Sequence, residues 1–137
     1  MQIHASCAAL DGQGVLLIGA PGSGKSDLLL RLLNHGFAMV ADDRVEIDAG
    51  QARPPAALAG LLEVRGLGIV RLPFEAPVRL ALAVALGRGE RMPPPARHEL
   101  GLPLVTIDPM LASAPDRVRL ALDCASGRAE QVAGAFA

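Results

Sequence analysis

The sequence predicts a single α/β domain over residues 1–137, and two apolar runs with a helical pattern between them carry that prediction. The first run, GVLLI (14–18), is followed by glycine, and the second, FAMVA (37–41), is followed by two aspartates. Short continuous apolar runs of this kind are typical of strands buried on both faces. Strand, helix and strand within about 30 residues form a βαβ unit, which favours a right-handed crossover onto a parallel sheet.

The segment between the two runs, KSDLLLRLLNHG (25–36), has the periodicity of an amphipathic helix. Its leucines at positions 28, 29, 32 and 33 share one helical face, which would pack on the sheet. Gly36 is a suitable stop, because glycine readily adopts the left-handed conformation found just after a helix.

Beyond Asp48 the pattern predicts short strands separated by loops. The glycines and prolines of 48–60 indicate a loop or hairpin tip, and GRGERMPPPARH (87–98) indicates a mobile surface loop. Extended segments are expected at 61–72, in two pieces around its glycines, at 79–86 and at 104–107.

A last helix is predicted near the C-terminus. Ser113 and Asp116 have the spacing of a capping box, and Pro115 falls in the first turn. The Ala-rich tail after Gly127 is expected to fray.

Composition excludes several function classes. The formal net charge is −1, which argues against a nucleic-acid-binding protein, and with three Phe and no Trp or Tyr there is no base-stacking platform. No apolar run approaches the roughly 20 residues that span a bilayer, and the N-terminus does not resemble a signal peptide. Cys7 and Cys124 form no C-x-x-C pair and are expected to be reduced, which favours a cytoplasmic protein.

The most informative stretch is GAPGSGKS, which matches the phosphate-binding pattern G-x-x-x-x-G-K-[ST]. A buried strand is predicted before it and an apolar helix after it, as this loop requires. Glycine-rich backbone in such a loop turns successive N–H groups towards phosphate oxygens, and the helix N-terminus adds positive potential. The predicted nucleotide-binding residues are Gly19, Ala20, Pro21, Gly22, Ser23, Gly24, Lys25 and Ser26.

Lys25 is the only lysine in the chain, against twelve arginines. An ammonium is a compact point charge that fits among the β- and γ-phosphate oxygens, whereas a guanidinium is a bulky planar fork. The retention of lysine here therefore supports a triphosphate site. The hydroxyl of Ser26 is the expected ligand of Mg²⁺, so ATP and Mg²⁺ are the predicted cofactors.

Asp42 and Asp43 follow the second buried strand, 17 and 18 residues after Lys25. If that strand lies in the same sheet as the phosphate loop, its carboxyl end opens onto the nucleotide. One carboxylate can then hold Mg²⁺ or its water shell, and the other can accept a proton from an attacking hydroxyl.

Four stretches together resemble the catalytic domain of HPr kinase/phosphorylase, a bacterial serine kinase family. They are His4 at the opening of an early strand, GAPGSGKS (19–26), VADDRVEI (40–47) and LLEVRGLGIV (61–70). The resemblance covers residues 4–70. It implies a P-loop kinase core with a mixed, largely buried sheet and flanking helices.

The resemblance also implies roles for the acidic residues. Asp43 would be the base that takes the proton from a target serine, with Asp42 supporting it. Ser26, Asp42 and Glu63 would hold Mg²⁺. The partner would be HPr or an HPr-like phosphocarrier protein, with no nucleic acid and no membrane.

Two further residues come from the same resemblance. His4 would lie beside the carboxylates and tune their charge. Arg91, in the GERM stretch (89–92), would lie near the transferred phosphate, with Arg88 and Arg97 as rival candidates.

The chain departs from the family in two ways. The early strand begins near residue 4, so a core without the family's separate N-terminal domain is expected. The stretch TIDPMLASAPDRVRL (106–120) lacks the family's Pro-Val-x-Pro-Gly-Arg run, so the resemblance does not extend to the reverse, phosphorolytic reaction. Nor does it extend to the family's hexamer, which leaves a homo-oligomer open.

Two alternatives stay open at this point. One is a small-molecule P-loop kinase of the shikimate or nucleotide type, which also places acidic residues after the next strand. The other is a non-catalytic module that uses ATP binding to switch a partner.

Overall fold

The computed structural model describes all 137 residues and shows a mixed α/β fold with two helices and eleven strands. A short 3-10 helix spans Ala56–Leu58. The helices are α1 (Lys25–Leu33) and α2 (Ala114–Ala125). The strands are β1 (Gln2–Ile3), β2 (Ser6–Leu10), β3 (Gln13–Ile18), β4 (Ala38–Ala41), β5 (Val45–Asp48), β6 (Gln51–Arg53), β7 (Leu61–Val64), β8 (Gly68–Arg71), β9 (Val78–Leu86), β10 (Ala96–Arg97) and β11 (Pro103–Ile107).

Nine of the strands form one mixed sheet in the order β1-β5-β6-β9-β3-β2-β4, with β11 also paired to β9 and β10 to β11. The pairs β3–β9 and β9–β11 are parallel, and the other pairs of this sheet are antiparallel. The expected crossover between neighbouring parallel strands is wrong in one respect. Strands β3 and β4 run in the same direction, but β2 lies between them and is antiparallel to both.

Both faces of the sheet are buried, as expected. One face packs against α1 and α2 through a core that includes Val15, Leu17, Leu28 and Leu122. On the other face, Leu16 belongs to a second core in which β5 and β6 supply three of the eleven buried residues. Alternate residues of β3 therefore enter different cores, which explains its continuous apolar run.

Sequence patterns identified β3, α1, β4, β9 and β11 but missed the short strands β1, β5, β6 and β10, the last of which lies in the segment expected to be a mobile loop. An early strand corresponding to β2 was expected only from the family resemblance, with His4 at its opening. A signal for β2 was present. Asp11 and Gly12 form the two-residue turn between β2 and β3, with positive φ of 51° and 77°. Asp-Gly between two apolar runs is a strong hairpin signal. The hairpin tip predicted between residues 48 and 60 is confirmed. It is a two-residue turn at Ala49 and Gly50, which connects β5 and β6 and also has positive φ.

The extended segment 61–72 forms a separate two-stranded sheet of β7 and β8. Leu62 is fully buried in the core beneath the helices, and the tip residues Leu67 and Ile69 are exposed. The two extended pieces predicted around the glycines are therefore confirmed.

The capping box predicted for α2 is wrong. Ser113 is the N-cap residue, but its side chain makes no capping hydrogen bond and instead accepts one from Arg117 Nε at 2.8 Å. The tail is also more ordered than expected, because Ala135 is buried and Phe136 packs against the core.

The strand directions place four connecting segments at one edge of the main sheet. The carboxyl ends of β3, β4, β9 and β11 all lie there, since these strands share a direction. The segments that leave this edge are 19–24, 42–44, 87–95 and 108–113. Neither helix is long and apolar enough to cross a membrane.

Cys7 is fully buried in β2, and this gives a testable consequence. Burial raises the pKa of its thiol from 9.0 to about 12, partly offset by a hydrogen bond from the backbone of Val15. Because the unfolded chain releases this proton more readily, the free energy of unfolding should fall as pH rises from about 9 towards 12. Below about pH 9 the thiol is protonated in both states, so it adds no pH dependence to the stability.

At pH 8 we expect a thiol reagent to label one cysteine of the native protein, the partly exposed Cys124, and both cysteines after denaturation. Rapid labelling of two thiols in the native state would contradict the buried position of Cys7.

Candidate active site

The loop between β3 and α1 has the backbone shape that phosphate binding needs. Gly22 and Gly24 have positive φ of 80° and 101°, a region that disfavours other residues. A Cβ added at Gly19 would collide with the side chain of Ser23. The loop is tied across its base by a hydrogen bond from the Ser23 N–H to the Ala20 carbonyl, at 3.0 Å.

Several N–H groups of this loop have no acceptor in the protein. The N-cap residue of α1 is Gly24, which offers no side chain to cap the first turn. The free amides belong to Gly22, Gly24, Lys25 and Ser26. Uncapped amides at a helix N-terminus, beside a glycine-rich turn, form an anion-binding concavity.

Lys25 is 8% exposed and is held over the loop by its own backbone. Its Nζ donates to the carbonyls of Gly19 at 2.7 Å and Ala20 at 3.2 Å. An ammonium has three protons, so one remains for a phosphate oxygen. No acidic side chain pairs with Lys25, and its charge is therefore available to an anion.

Asp42 is 7% exposed and joins the phosphate loop to the second strand end. Its Oδ1 accepts hydrogen bonds from the hydroxyls of Ser26 at 2.7 Å and Ser6 at 2.8 Å. It has no ion-pair partner among the protein's cations. A buried carboxylate without a counter-charge is costly, so this site favours an added cation.

The oxygen donors of this pair fit Mg²⁺. Neighbouring oxygens in an octahedral shell with bonds of about 2.05 Å lie about 2.9 Å apart. The Ser26 Oγ and Asp42 Oδ1 atoms are 2.7 Å apart, close to that spacing. Both are hard oxygen ligands of the kind that Mg²⁺ prefers.

Asp43 lies in a tight turn that the segment 4–6 holds in place. Its φ is +69°, and the turn is closed by the Arg44 N–H, which donates to the Asp42 carbonyl at 2.8 Å. The Asp43 carbonyl accepts from the Ala5 N–H at 3.2 Å. Positive φ is uncommon outside glycine, but aspartate adopts it more readily than most residues, which suits it to this turn.

The carboxylate of Asp43 faces solvent beside His4. The His4 Nδ1 and Asp43 Oδ1 atoms are 3.4 Å apart, and their side chains are 51% and 62% exposed. The structure therefore brings His4 next to Asp43 of the acidic pair, where the family resemblance placed it. Because it is exposed, Asp43 can reach a hydroxyl on another macromolecule.

The side chains of two other predicted site residues make no hydrogen bond or ion pair with the rest of the protein. Glu63 is exposed on β7, opposite Ile69 of β8. Arg91 is exposed in the segment after β9, whose start is held by a hydrogen bond from the Gly87 N–H to the Ile107 carbonyl at 3.1 Å. No three His, Cys, Asp or Glu side chains lie close enough to hold a metal ion. Of the predicted metal ligands, only Ser26 and Asp42 are in contact.

Sequence reasoning missed two residues of this region. Ser6 is one, and no motif marks it. The other is Arg31 on α1, whose Nη2 donates to the Pro109 carbonyl at 2.6 Å and whose Nε contacts Asp27 at 3.1 Å. Arg31 thereby fixes the segment after β11 beside the phosphate loop. Pro109 of that segment lies so close to Gly24 that a Cβ added to this glycine would be 3.7 Å from the proline Cβ.

Comparison with known proteins agrees with this geometry. The family model "HPr Serine kinase C-terminal domain" matches residues 1–74, which are more than half of the 137. That range contains the phosphate loop, the acidic turn and the β7–β8 hairpin.

Among curated relatives, the chain is 38% identical to the HPr kinase/phosphorylase of Cupriavidus necator over 112 residues, 68% of this chain and 35% of that protein. It is 43% identical to HPr kinase/phosphorylase 1 of Oceanobacillus iheyensis over 75 residues, 51% of this chain and 24% of that protein. The chain thus spans about a third or less of the length of these relatives.

A solved structure, the Hpr(Ser) kinase/phosphatase from Coxiella burnetii, is similar with a TM-score of 0.68 and 26% identity. The match covers 90% of this chain and 99% of that one. The predicted P-loop kinase core is therefore confirmed, and the chain belongs to the HPr serine kinase C-terminal domain family.

Proposed function

We propose that this chain is an ATP-dependent protein serine kinase whose substrate is HPr or an HPr-like phosphocarrier protein. The observation that carries the proposal is the hydrogen bond between Ser26 and Asp42. This bond connects the phosphate loop with the turn that carries Asp42 and Asp43. A nucleotide bound in the loop and an acceptor hydroxyl at the turn would therefore lie close together.

The loop residues would hold the triphosphate. The free amides of Gly22, Gly24, Lys25 and Ser26 would bind its oxygens, and the Lys25 ammonium would neutralise charge on the β- and γ-phosphates. Ser26 and Asp42 would hold Mg²⁺, which supplies further positive charge to the phosphates when bound. Positioning and electrostatic stabilisation then account for most of the rate, because phosphoryl transfer needs little covalent help from the protein.

Asp43 would accept the proton of the attacking serine. Its exposure suits a protein substrate, and the adjacent His4 imidazole orients its carboxylate. The turn with a φ of +69° places this residue just after the carboxyl end of β4. Support for the substrate class comes from the relatives, which carry the name HPr kinase/phosphorylase.

Three finer points belong to the same proposal. Glu63 would complete the magnesium ligands, and Arg91 would approach the transferred phosphate. The forward kinase reaction is proposed without the reverse phosphorolysis, and the protein is proposed to act in the cytoplasm, with a homo-oligomer left open.

The two alternative functions, a small-molecule kinase and a module that only senses ATP, would require different residues. A small-molecule kinase has no use for the stretch LLEVRGLGIV (61–70), which lies within the region matched by the family model. A module that only senses ATP would need no proton acceptor, and Asp43 therefore separates it from an enzyme.

The first prediction concerns Lys25. The substitution Lys25→Arg keeps the positive charge but places a larger, planar guanidinium in a site that is only 8% exposed and holds an ammonium in the wild type. We expect MgATP affinity, measured by calorimetry on protein that its melting transition shows to be folded, to fall by about tenfold or more. Arg119→Lys, an exchange between the same two residue types on the exposed face of α2, should leave affinity unchanged. Wild-type affinity in Lys25→Arg would overturn the role of the ammonium.

The second prediction concerns Asp43. In Asp43→Asn we expect transfer from ATP to the HPr-type protein to fall about a hundredfold or more, because a general base is lost. MgATP affinity should stay within about threefold of wild type, since Asp43 is not in contact with the phosphate loop. Transfer is read as a mass gain on the substrate's serine.

Asp48→Asn is the matched control, since Asp48 is exposed and makes no hydrogen bond or ion pair through its side chain. Transfer by Asp43→Asn at the rate of Asp48→Asn would exclude Asp43 as the base. Absence of transfer by the wild type, together with tight MgATP binding, would favour the sensing module.

A further inference from the structure

Ser6 lies between the two acidic residues of the site, at the first position of β2. Its hydroxyl donates to Asp42 Oδ1 at 2.8 Å. The same oxygen accepts the backbone N–H of Asp43 at 3.4 Å. One buried hydroxyl is therefore bonded to both members of the pair.

This hydroxyl is unusual in its surroundings. The rest of β2, residues 7–10, is buried and apolar, and Ser6 itself is 0% exposed. The whole chain buries only three polar or charged side chains, and all three lie at this site: Ser6, Lys25 and Asp42. Packing alone would be satisfied there by an apolar residue, since burying a hydroxyl brings no gain unless it forms hydrogen bonds.

The hydrogen bonds leave the two oxygens of Asp42 in different states. Oδ1 accepts both hydroxyls, from β2 on one side and from α1 on the other. Oδ2 accepts no hydrogen bond from the protein and is not sealed from solvent. Two hydroxyls therefore fix the carboxylate through Oδ1, and Oδ2 is left without a hydrogen-bond partner in the protein.

We propose that Ser6 is a positioning residue, which holds Asp42 so that its carboxylate meets the metal ion of a bound nucleotide. The proposal rests on the function proposed above. When Ser26 turns its oxygen to the metal, Ser6 is the side chain that still fixes Asp42 from the opposite element. Hydrogen-bond partners of metal-binding carboxylates typically change metal affinity by about tenfold or more.

The test compares Ser6→Thr with Ser6→Val. These two side chains have nearly the same shape, so both add the same bulk to a buried strand position, and they differ in the hydroxyl. A fluorescent ADP analogue is titrated into each protein over a range of Mg²⁺ concentrations and again in EDTA.

We expect Ser6→Thr to need about the same Mg²⁺ as wild type, and Ser6→Val to need about tenfold more. Affinity for the analogue in EDTA should be equal in all three proteins, because the loop amides and Lys25 are unchanged. Equal Mg²⁺ requirements for Ser6→Thr and Ser6→Val would overturn the proposal and leave Ser6 as a packing residue.

If the added bulk unfolds both variants, Ser6→Ala and Cys7→Ala replace them. Each removes one heavy atom from a fully buried position of the same strand. The proposal then requires a raised Mg²⁺ requirement in Ser6→Ala and none in Cys7→Ala, and equal requirements in these two would overturn it.

The same proteins separate this inference from the kinase proposal. Wild-type protein that shows the expected Mg²⁺ effects but transfers no phosphate to an HPr-type protein would contradict only the kinase proposal. Active wild-type protein with no difference between Ser6→Thr and Ser6→Val would contradict only the role of Ser6. Nucleotide binding by wild type that does not depend on Mg²⁺ would contradict both.

Discussion

The site depends on one buried carboxylate. Asp42 is removed from water without an ion-pair partner and is held there by the hydroxyls of Ser6 and Ser26. Such a group is stable when its hydrogen bonds are complete and strongly favours a cation nearby. The phosphate loop, the acidic turn and the early strand are connected through it, so that the three features act as a unit.

The sheet topology makes this connection possible. Strand β2 lies between β3 and β4 and is antiparallel to both, so its first residue faces the ends of the other two. Ser6 therefore stands beside Asp42, and His4 reaches Asp43 from the same segment. In an all-parallel βαβ unit no strand would begin at this edge, and the acidic pair would lack these neighbours.

The short motifs of the candidate site could be predicted from the sequence. The contacts between residues far apart along the chain could not. The spacing of GAPGSGKS and the position of Asp42 and Asp43 after a buried strand indicated the phosphate loop and its acidic neighbour, and the structure places Ser26 against Asp42. The insertion of β2 was missed, although Asp11 and Gly12 mark its hairpin. Ser6 and Arg31 carry no pattern at all, because each owes its role to partners 36 and 78 residues away along the chain. The prediction of a capping box at Ser113 was wrong, because the serine oxygen accepts a hydrogen bond from Arg117, one turn later, and makes no capping bond.

The most direct test of this account is a double-mutant cycle between Ser26 and Asp42, read as MgADP affinity. If their contact joins the loop and the acidic turn into one magnesium–nucleotide site, then Ser26→Ala and Asp42→Ala should be strongly non-additive, with a coupling of about 1–2 kcal/mol that disappears in EDTA. Additive losses, or equal coupling with and without Mg²⁺, would show that the two residues act separately.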